Sequence, residues 1–234
     1  MLKPATWPFD FVIVVCCAFV FLTLGAMALY PGGTALDPTT THYHFFENFF
    51  SDLGRTIARG SNKPNPVGSA LFFISLSSAG VALGIFFVAF ARFFWGDLVQ
   101  RVLTTAGTFF GLWSALNFLG IACYRANIYP EQHVHYVYLA FKCFPLAVLL
   151  FMVSIFYDRS YPKSGAWVFA VFFAGLLCYL GLITKGPSPE SALGLMIQAA
   201  GQKAVVYASL LCVGVQSLLA RRHLSVGMRS NSLS

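Results

Sequence analysis

Between Phe11 and Leu36 the chain carries no Asp, Glu, Lys or Arg. A helix of about 20 apolar residues crosses the hydrocarbon core of a bilayer. The apolar core of a signal peptide is shorter, about 7–15 residues. The run is therefore read as a retained transmembrane helix at about 9–30, closed by Pro31-Gly32-Gly33. Composition extends that reading to the whole molecule. Of 234 residues, 58% are hydrophobic and 10% charged, where a soluble domain carries about 25% charged residues. Five further apolar segments follow, at about 67–94, 102–124, 133–157, 166–184 and 202–220. The expected fold class is an all-α integral membrane protein, one domain over 1–234, built as a six-transmembrane-helix bundle.

The one long segment between spans is Thr41 to Gly68, and it holds the densest polar chemistry. Phe45, Phe49 and Leu53 recur at helical spacing, with Phe46, Phe50 and Ile57 beside them. Glu47, Ser51, Arg55 and Arg59 form the opposite stripe, joined by Asn48 and Asp52. That pattern predicts an interfacial amphipathic helix over about 41–59, with Thr41 as N-cap and Gly60 as its stop. Past the sixth span, a Ser-rich tail over 221–234 is expected to be flexible. A short amphipathic piece at Ser191–Gln198 is expected before that span.

Gly and Ser crowd the second span (Ser75, Ser77, Ser78, Gly80, Gly84), and small residues let helices approach closely. This helix is expected inside the bundle. The six cysteines all fall in apolar runs without zinc-type spacing, and are read as buried small hydrophobes. The net charge of +7 is spread over short loops and the tail, with no basic stripe. It is read as membrane orientation, not as a nucleic-acid footprint. Lys3, Arg92, Arg101, Arg159, Lys163, Arg221, Arg222 and Arg229 outnumber the Lys and Arg of the other face. Both termini are accordingly expected in the cytoplasm, in a bacterial inner membrane.

Candidate chemistry lies toward the outer face. Lys142 sits within the fourth span, about 10 Å deeper than His135 at 1.5 Å per residue. Ionisable groups there usually face a cavity or a partner. Asn117 on the third span lies at similar depth, and Lys203 on the sixth lies just below the outer end, where a boundary residue is the alternative. With Glu47, Asn48, Asp52 and His135 they are expected to line one outward-opening pocket, Lys142 and Lys203 pairing with an anionic group. The alternative for Lys142 is snorkelling to the surface. Two HxH pairs, His42 with His44 and His133 with His135, make a metal ion possible. Residues two apart on a helix point away from each other, so only His42 and His44, on an extended segment, could chelate together. Ser51, Asp52 and His135 are the candidates for nucleophilic or metal-assisted hydrolysis, without a GxSxG elbow. No motif requires a cofactor.

Asn48-Phe49-Phe50-Ser51-Asp52-Leu53-Gly54, then Asn65-Pro66 opening the second span, resembles an uncharacterised prokaryotic family of six-helix membrane proteins. That family has an N-x-x-S-D-L-G segment after its first span and an N-P at its second. Its proline-then-histidine pattern at the fourth span is matched by Pro130 with His133 or His135. A more distant similarity reaches the DRAM and Sfk-type membrane proteins. The resemblance covers about residues 9–157 and implies six spans.

Three functions use these residues. The first is binding of a lipid headgroup or amphipathic small molecule, with membrane lipids as partners. A second is a non-catalytic subunit of a membrane complex, contacting other proteins through Phe86, Phe87, Phe90, Phe93 and Phe94. The third is a membrane-embedded lipid hydrolase. A transporter lacks support, because there is no repeat and no pair of broken helices.

Overall fold

The computed structural model describes residues 6–230. Six helices long and apolar enough to cross a membrane make up the chain: α1 (Trp7–Ala28), α2 (Pro66–Ala91), α3 (Leu98–Cys123), α4 (Pro130–Tyr157), α5 (Lys163–Lys185) and α6 (Ala192–Ser230). These helices define a polytopic membrane protein. Among the described residues the only strand-like pairing is an isolated bridge between Ile57 and Pro64.

Helix starts follow local chemistry. Pro66 and Pro130 stand at the first positions of α2 and α4, where their missing N–H costs nothing. Asp97 caps α3 by accepting the Gln100 N–H at 2.9 Å. The α4 C-terminus is closed by Lys163, whose Nζ donates to the carbonyls of Ile155 and Phe156 at 2.7 and 2.9 Å. Each helix packs on the next, and α6 returns to pack on α1 and α2. The ends of the bundle are identified by contacts. Arg221 in the later part of α6 bonds Asp10 in the first turn of α1, Nε to Oδ1 at 2.9 Å, so the start of α1 and the later part of α6 meet on one face. Exposed Trp7, Trp95, Tyr157 and Trp167 ring that face, as aromatic side chains do at a membrane interface. The loops α1–α2, α3–α4 and α5–α6 meet on the opposite face, called here the site face.

The core of the terminal half is aromatic. Phe86 and Phe90 stack at 5.0 Å, Phe87 and Phe151 at 5.5 Å, and Phe90 meets Phe169 edge-on at 6.0 Å. Gly111 makes room for them: a Cβ there would lie 2.3 Å from the Phe87 ring. Phe86, Phe87, Phe90 and Phe94 are fully buried and Phe93 is half-buried, so the surface expected to contact other subunits is interior packing. Outward-facing positions such as Val14, Phe21, Leu116, Val171 and Leu211 are apolar and exposed, which suits lipid as solvent.

Two expectations about the segment after α1 are corrected. No helix spans 41–59; the segment is a compact irregular loop with a single short 3-10 turn at Phe50–Gly54. Gly60, expected as a helix stop, sits at φ +76 in a turn of that loop. Of the tail over 221–234, residues through Ser230 are part of α6, and 231–234 lie outside the described residues. The amphipathic piece at 191–198 is the opening of the same α6. Of the cysteines, Cys212 is buried, whereas Cys17, Cys123 and Cys178 lie exposed on outer helix faces.

Candidate functional site

The α1–α2 loop is folded by side chains bonding to backbone, which is why it is not helical. Asn48 Oδ1 accepts the His44 N–H at 2.9 Å and Asp52 Oδ2 accepts the Phe49 N–H at 2.8 Å. Asn48 Nδ2 reaches back to the Gly33 carbonyl at 2.8 Å. Asn65 Nδ2 donates to the carbonyls of Leu53 and Arg55, at 3.1 and 3.0 Å. Such bonds satisfy backbone groups outside a helix and so compete with it. Other elements take further backbone groups: Gln202 Oε1 of α6 accepts the Phe50 N–H at 2.7 Å, and Asn127 Oδ1 accepts the Thr56 N–H at 3.2 Å.

Each residue of Ser51-Asp52-Leu53-Gly54 has its own place. Ser51 lines the interior space described below. Asp52, 2% exposed, is the hub of the loop, with Asn48 Nδ2 at 3.5 Å and Arg59 Nη1 at 3.6 Å. Burial pushes its carboxyl above the usual carboxylate range, against the opposing pull of Arg59, Arg55 and the Phe49 N–H. Leu53 is fully buried. Gly54 lies flat on Phe72, where a Cβ would come within 2.7 Å of the ring.

Lys203 on α6 is 1% exposed. Its Nζ donates to the Asn48 carbonyl and, at 3.1 Å, to the Ala199 carbonyl. The rings of Tyr43 and Phe45 face it at 5.4 and 5.1 Å, as cation–π partners. This ammonium is a clamp that seats the loop on α6.

Two spaces open beneath the loop. An interior cavity of about 90 Å³ runs between α1, α2, α3, α4 and α6. Its walls are apolar, including Val12, Phe19, Leu83, Phe144 and Val213, with Ser51, His133 and Gln202 at its outer end. It extends from His133 to Phe144 along α4 and from Gln202 to Val213 along α6, about 16 Å at 1.5 Å per residue. A second space of about 360 Å³, the vestibule, lies above and is more polar than the first, with Asp52, Arg55, Arg59 and Gln198 among apolar residues such as Phe49, Val134 and Ile183, beside Tyr138 and Tyr179. Ser51, His133, Val137 and Gln202 line both spaces and form the neck between them.

Within the neck, His133 is 5% exposed. Its Nδ1 lies 2.7 Å from the Tyr124 carbonyl, which can only accept, so Nδ1 carries the proton. The Nε2 of that neutral tautomer is a free acceptor, and it is buried with no hydrogen-bond partner. In the vestibule, half-buried Arg55 is paired with no carboxylate among the described residues. Its Nε is likewise buried and without a partner. Burial draws its guanidinium below the usual value, and the field of Asp52 opposes that.

The residues expected to line one pocket are placed as follows. Asn48, Asp52 and Lys203 come together. Lys142 does not join them: it is exposed on the outer face of α4, with Nζ 5.6 Å from the Tyr138 ring, and takes the snorkelling alternative. Asn117 is buried in α3 and spends its Nδ2 on the Trp113 carbonyl at 2.7 Å, lining neither space. Glu47 is exposed, 3.7 Å from His44 Nδ1. His135 is exposed, so the inward histidine is His133. His42 and His44 stack at 4.6 Å on the surface. Among the described residues no three His, Cys, Asp or Glu side chains gather as a metal-binding group. Arg55 and Arg59 are the functional candidates that sequence reasoning left in the polar stripe; four residues apart and next to Asp52, they were visible as a cationic pair.

No protein-family model matches this chain, and no curated protein or solved structure matches it either. The fold and the site alone define its class, a six-helix polytopic membrane protein.

Proposed function

We propose that this protein binds a single-chain amphiphile, with the hydrocarbon tail in the interior cavity and the polar head in the vestibule. The observation that carries the reading is the shared lining: Ser51, His133, Val137 and Gln202 face both an apolar space inside the bundle and a more polar one at the site face. Binding sites of this kind are mostly apolar, with a few convergent polar groups. The α1–α2 loop, clamped by Lys203, roofs the site. Membership of the prokaryotic six-helix family is part of the same proposal. It is supported by the way Asn48, Ser51, Asp52, Gly54 and Asn65 interlock in one bonded unit. So is an inner-membrane location with cytoplasmic termini, supported by the Lys and Arg balance. A carboxy-terminal reporter active only in the cytoplasm tests that orientation.

Native mass spectrometry of protein released from mild detergent tests the binding. A bound single-chain amphiphile is expected on the wild type and is expected to vanish in Ala79→Phe, which fills the cavity wall. An adduct that persists unchanged in Ala79→Phe, or a wild type that binds no amphiphile, overturns the reading.

A second reading, lipid hydrolysis, is favoured by the presence of Ser51 and His133 in the same neck. Here the base is His133 through its free Nε2. Loss of lipid turnover in both Ser51→Ala and His133→Gln, with folding intact, is the expected result; turnover that survives both excludes it.

A further inference from the structure

We infer that the head of the bound amphiphile is a phosphate monoester, held by Arg55 and His133. The inference rests on the amphiphile reading above and concerns the chemistry of its head. Three observations lead to it.

First, the vestibule is unbalanced in charge. Asp52 is its one lining carboxylate, against the guanidiniums of Arg55 and Arg59. Arg59 faces that carboxylate at 3.6 Å and lies over the Phe49 ring at 5.5 Å. Arg55 is left over. A half-buried guanidinium without a carboxylate partner calls for an anion, and its planar fork matches phosphate oxygens. Exposed Glu47 and Glu131 lie outside the lining and do not supply one.

Second, the neck presents an acceptor that needs a donor. His133 is fixed by the Tyr124 carbonyl with its lone pair at Nε2, and no protein group meets that atom. A buried acceptor left bare is destabilising, so a head that brings a proton is favoured at this position.

Third, both groups line one vestibule, so a single head must satisfy an anion site and a proton acceptor together. A carboxylate or a phosphodiester brings charge but no proton at neutral pH. A phosphate monoester is mostly dianionic at pH 7, but with its second ionisation near pH 6 it can keep one proton at small cost and still carry a charge, whereas a carboxylate that keeps its proton loses its charge. The tail requirement excludes free inorganic phosphate: the apolar cavity beyond the neck offers it nothing.

Full-length protein in mild detergent is titrated with oleoyl lysophosphatidate, oleate, oleoyl lysophosphatidylcholine, mono-oleoylglycerol and inorganic phosphate, with binding read by native mass spectrometry. Lysophosphatidate is expected to bind about tenfold or more tightly than the other oleoyl compounds, and inorganic phosphate not at all. Arg55→Gln is expected to remove that preference, bringing lysophosphatidate down to the affinity of mono-oleoylglycerol for the same variant. His133→Gln is expected to bring lysophosphatidate down toward oleate. Equal affinity for oleate and lysophosphatidate overturns the phosphate assignment. Equal affinity for mono-oleoylglycerol overturns the anion site but leaves the amphiphile reading standing. If no oleoyl compound binds, the amphiphile reading fails instead.

Discussion

Lys203 on α6 hydrogen-bonds the carbonyl of Asn48 across the bundle, tying the last helix to the loop that follows the first. An ammonium buried this deeply is tolerated only because two carbonyls and two aromatic faces surround it. Lys203→Met keeps the stem and removes the charge. It leaves the Asn48 carbonyl with only the long contact from the Tyr43 hydroxyl at 3.4 Å, at a cost of about 1–3 kcal/mol. The expected outcome is a lower melting temperature and faster hydrogen exchange over 41–60, with the exchange of α4 and α5 unchanged. Unchanged exchange in the loop would show that Lys203 is not its clamp.

Asp52 and Asp158 should give opposite pH signatures. Burial raises the Asp52 carboxyl, so the folded state holds that proton more tightly than the unfolded chain. Its contribution to stability is present below the ordinary carboxylate range and is lost as pH rises through the raised value. Burial also pushes Asp158 upward, but hydrogen bonds from Gln100, Ser160 and Tyr161 outweigh it and hold the carboxyl low. Its contribution is present above the ordinary range and is lost as pH falls through the lowered value. Melting curves of Asp52→Asn and Asp158→Asn between pH 3 and 7 check this: the first variant loses the high-pH decline, the second the low-pH one.

Gly54 packs on the face of Phe72, where a Cβ would sit 2.7 Å from the ring. Phe72 is buried in the cavity wall and also meets Phe50 at 5.5 Å, so it has little room to yield. Gly54→Ala is expected to cost about 1–3 kcal/mol, as overpacking does. Phe72→Leu in the Gly54→Ala background is expected to recover part of that loss, although alone it destabilises. A double-mutant cycle on thermal stability measures the coupling; strict additivity would show that the two residues do not press on each other.

The helices were legible because their signal is length and apolarity, which any bilayer demands. The small face of α2 was legible for the same reason: Ser75 and Gly80 are buried, with Gly80 close against the Ala115 carbonyl. The loop was not. Its Phe spacing is helical, but Asn48, Asp52 and Asn65 capture backbone groups, and Gln202 captures one from 152 residues away. No periodicity encodes that. The two histidines of the fourth span show a subtler limit. Their spacing placed them on different faces, yet which face turned inward depended on the packing of Ala140, Phe144, Ala147 and Phe151.

That same buried face explains Lys142, whose neighbours Phe141 and Phe144 point inward while Lys142 turns away. The Lys142 stem lies against the exterior of α4 and its head is near the Tyr138 ring, so it has no part in the vestibule. Lys142→Leu is expected to leave stability within about 0.5 kcal/mol of the wild type, as surface substitutions do, and amphiphile binding unaltered. Arg55→Gln, in contrast, changes the lining of the vestibule itself. Titrating both variants with the same amphiphile under the same conditions separates the two cations. If Lys142→Leu weakens binding as much as Arg55→Gln, the head lies on the outer face of α4 and the roofed vestibule is not where it is held.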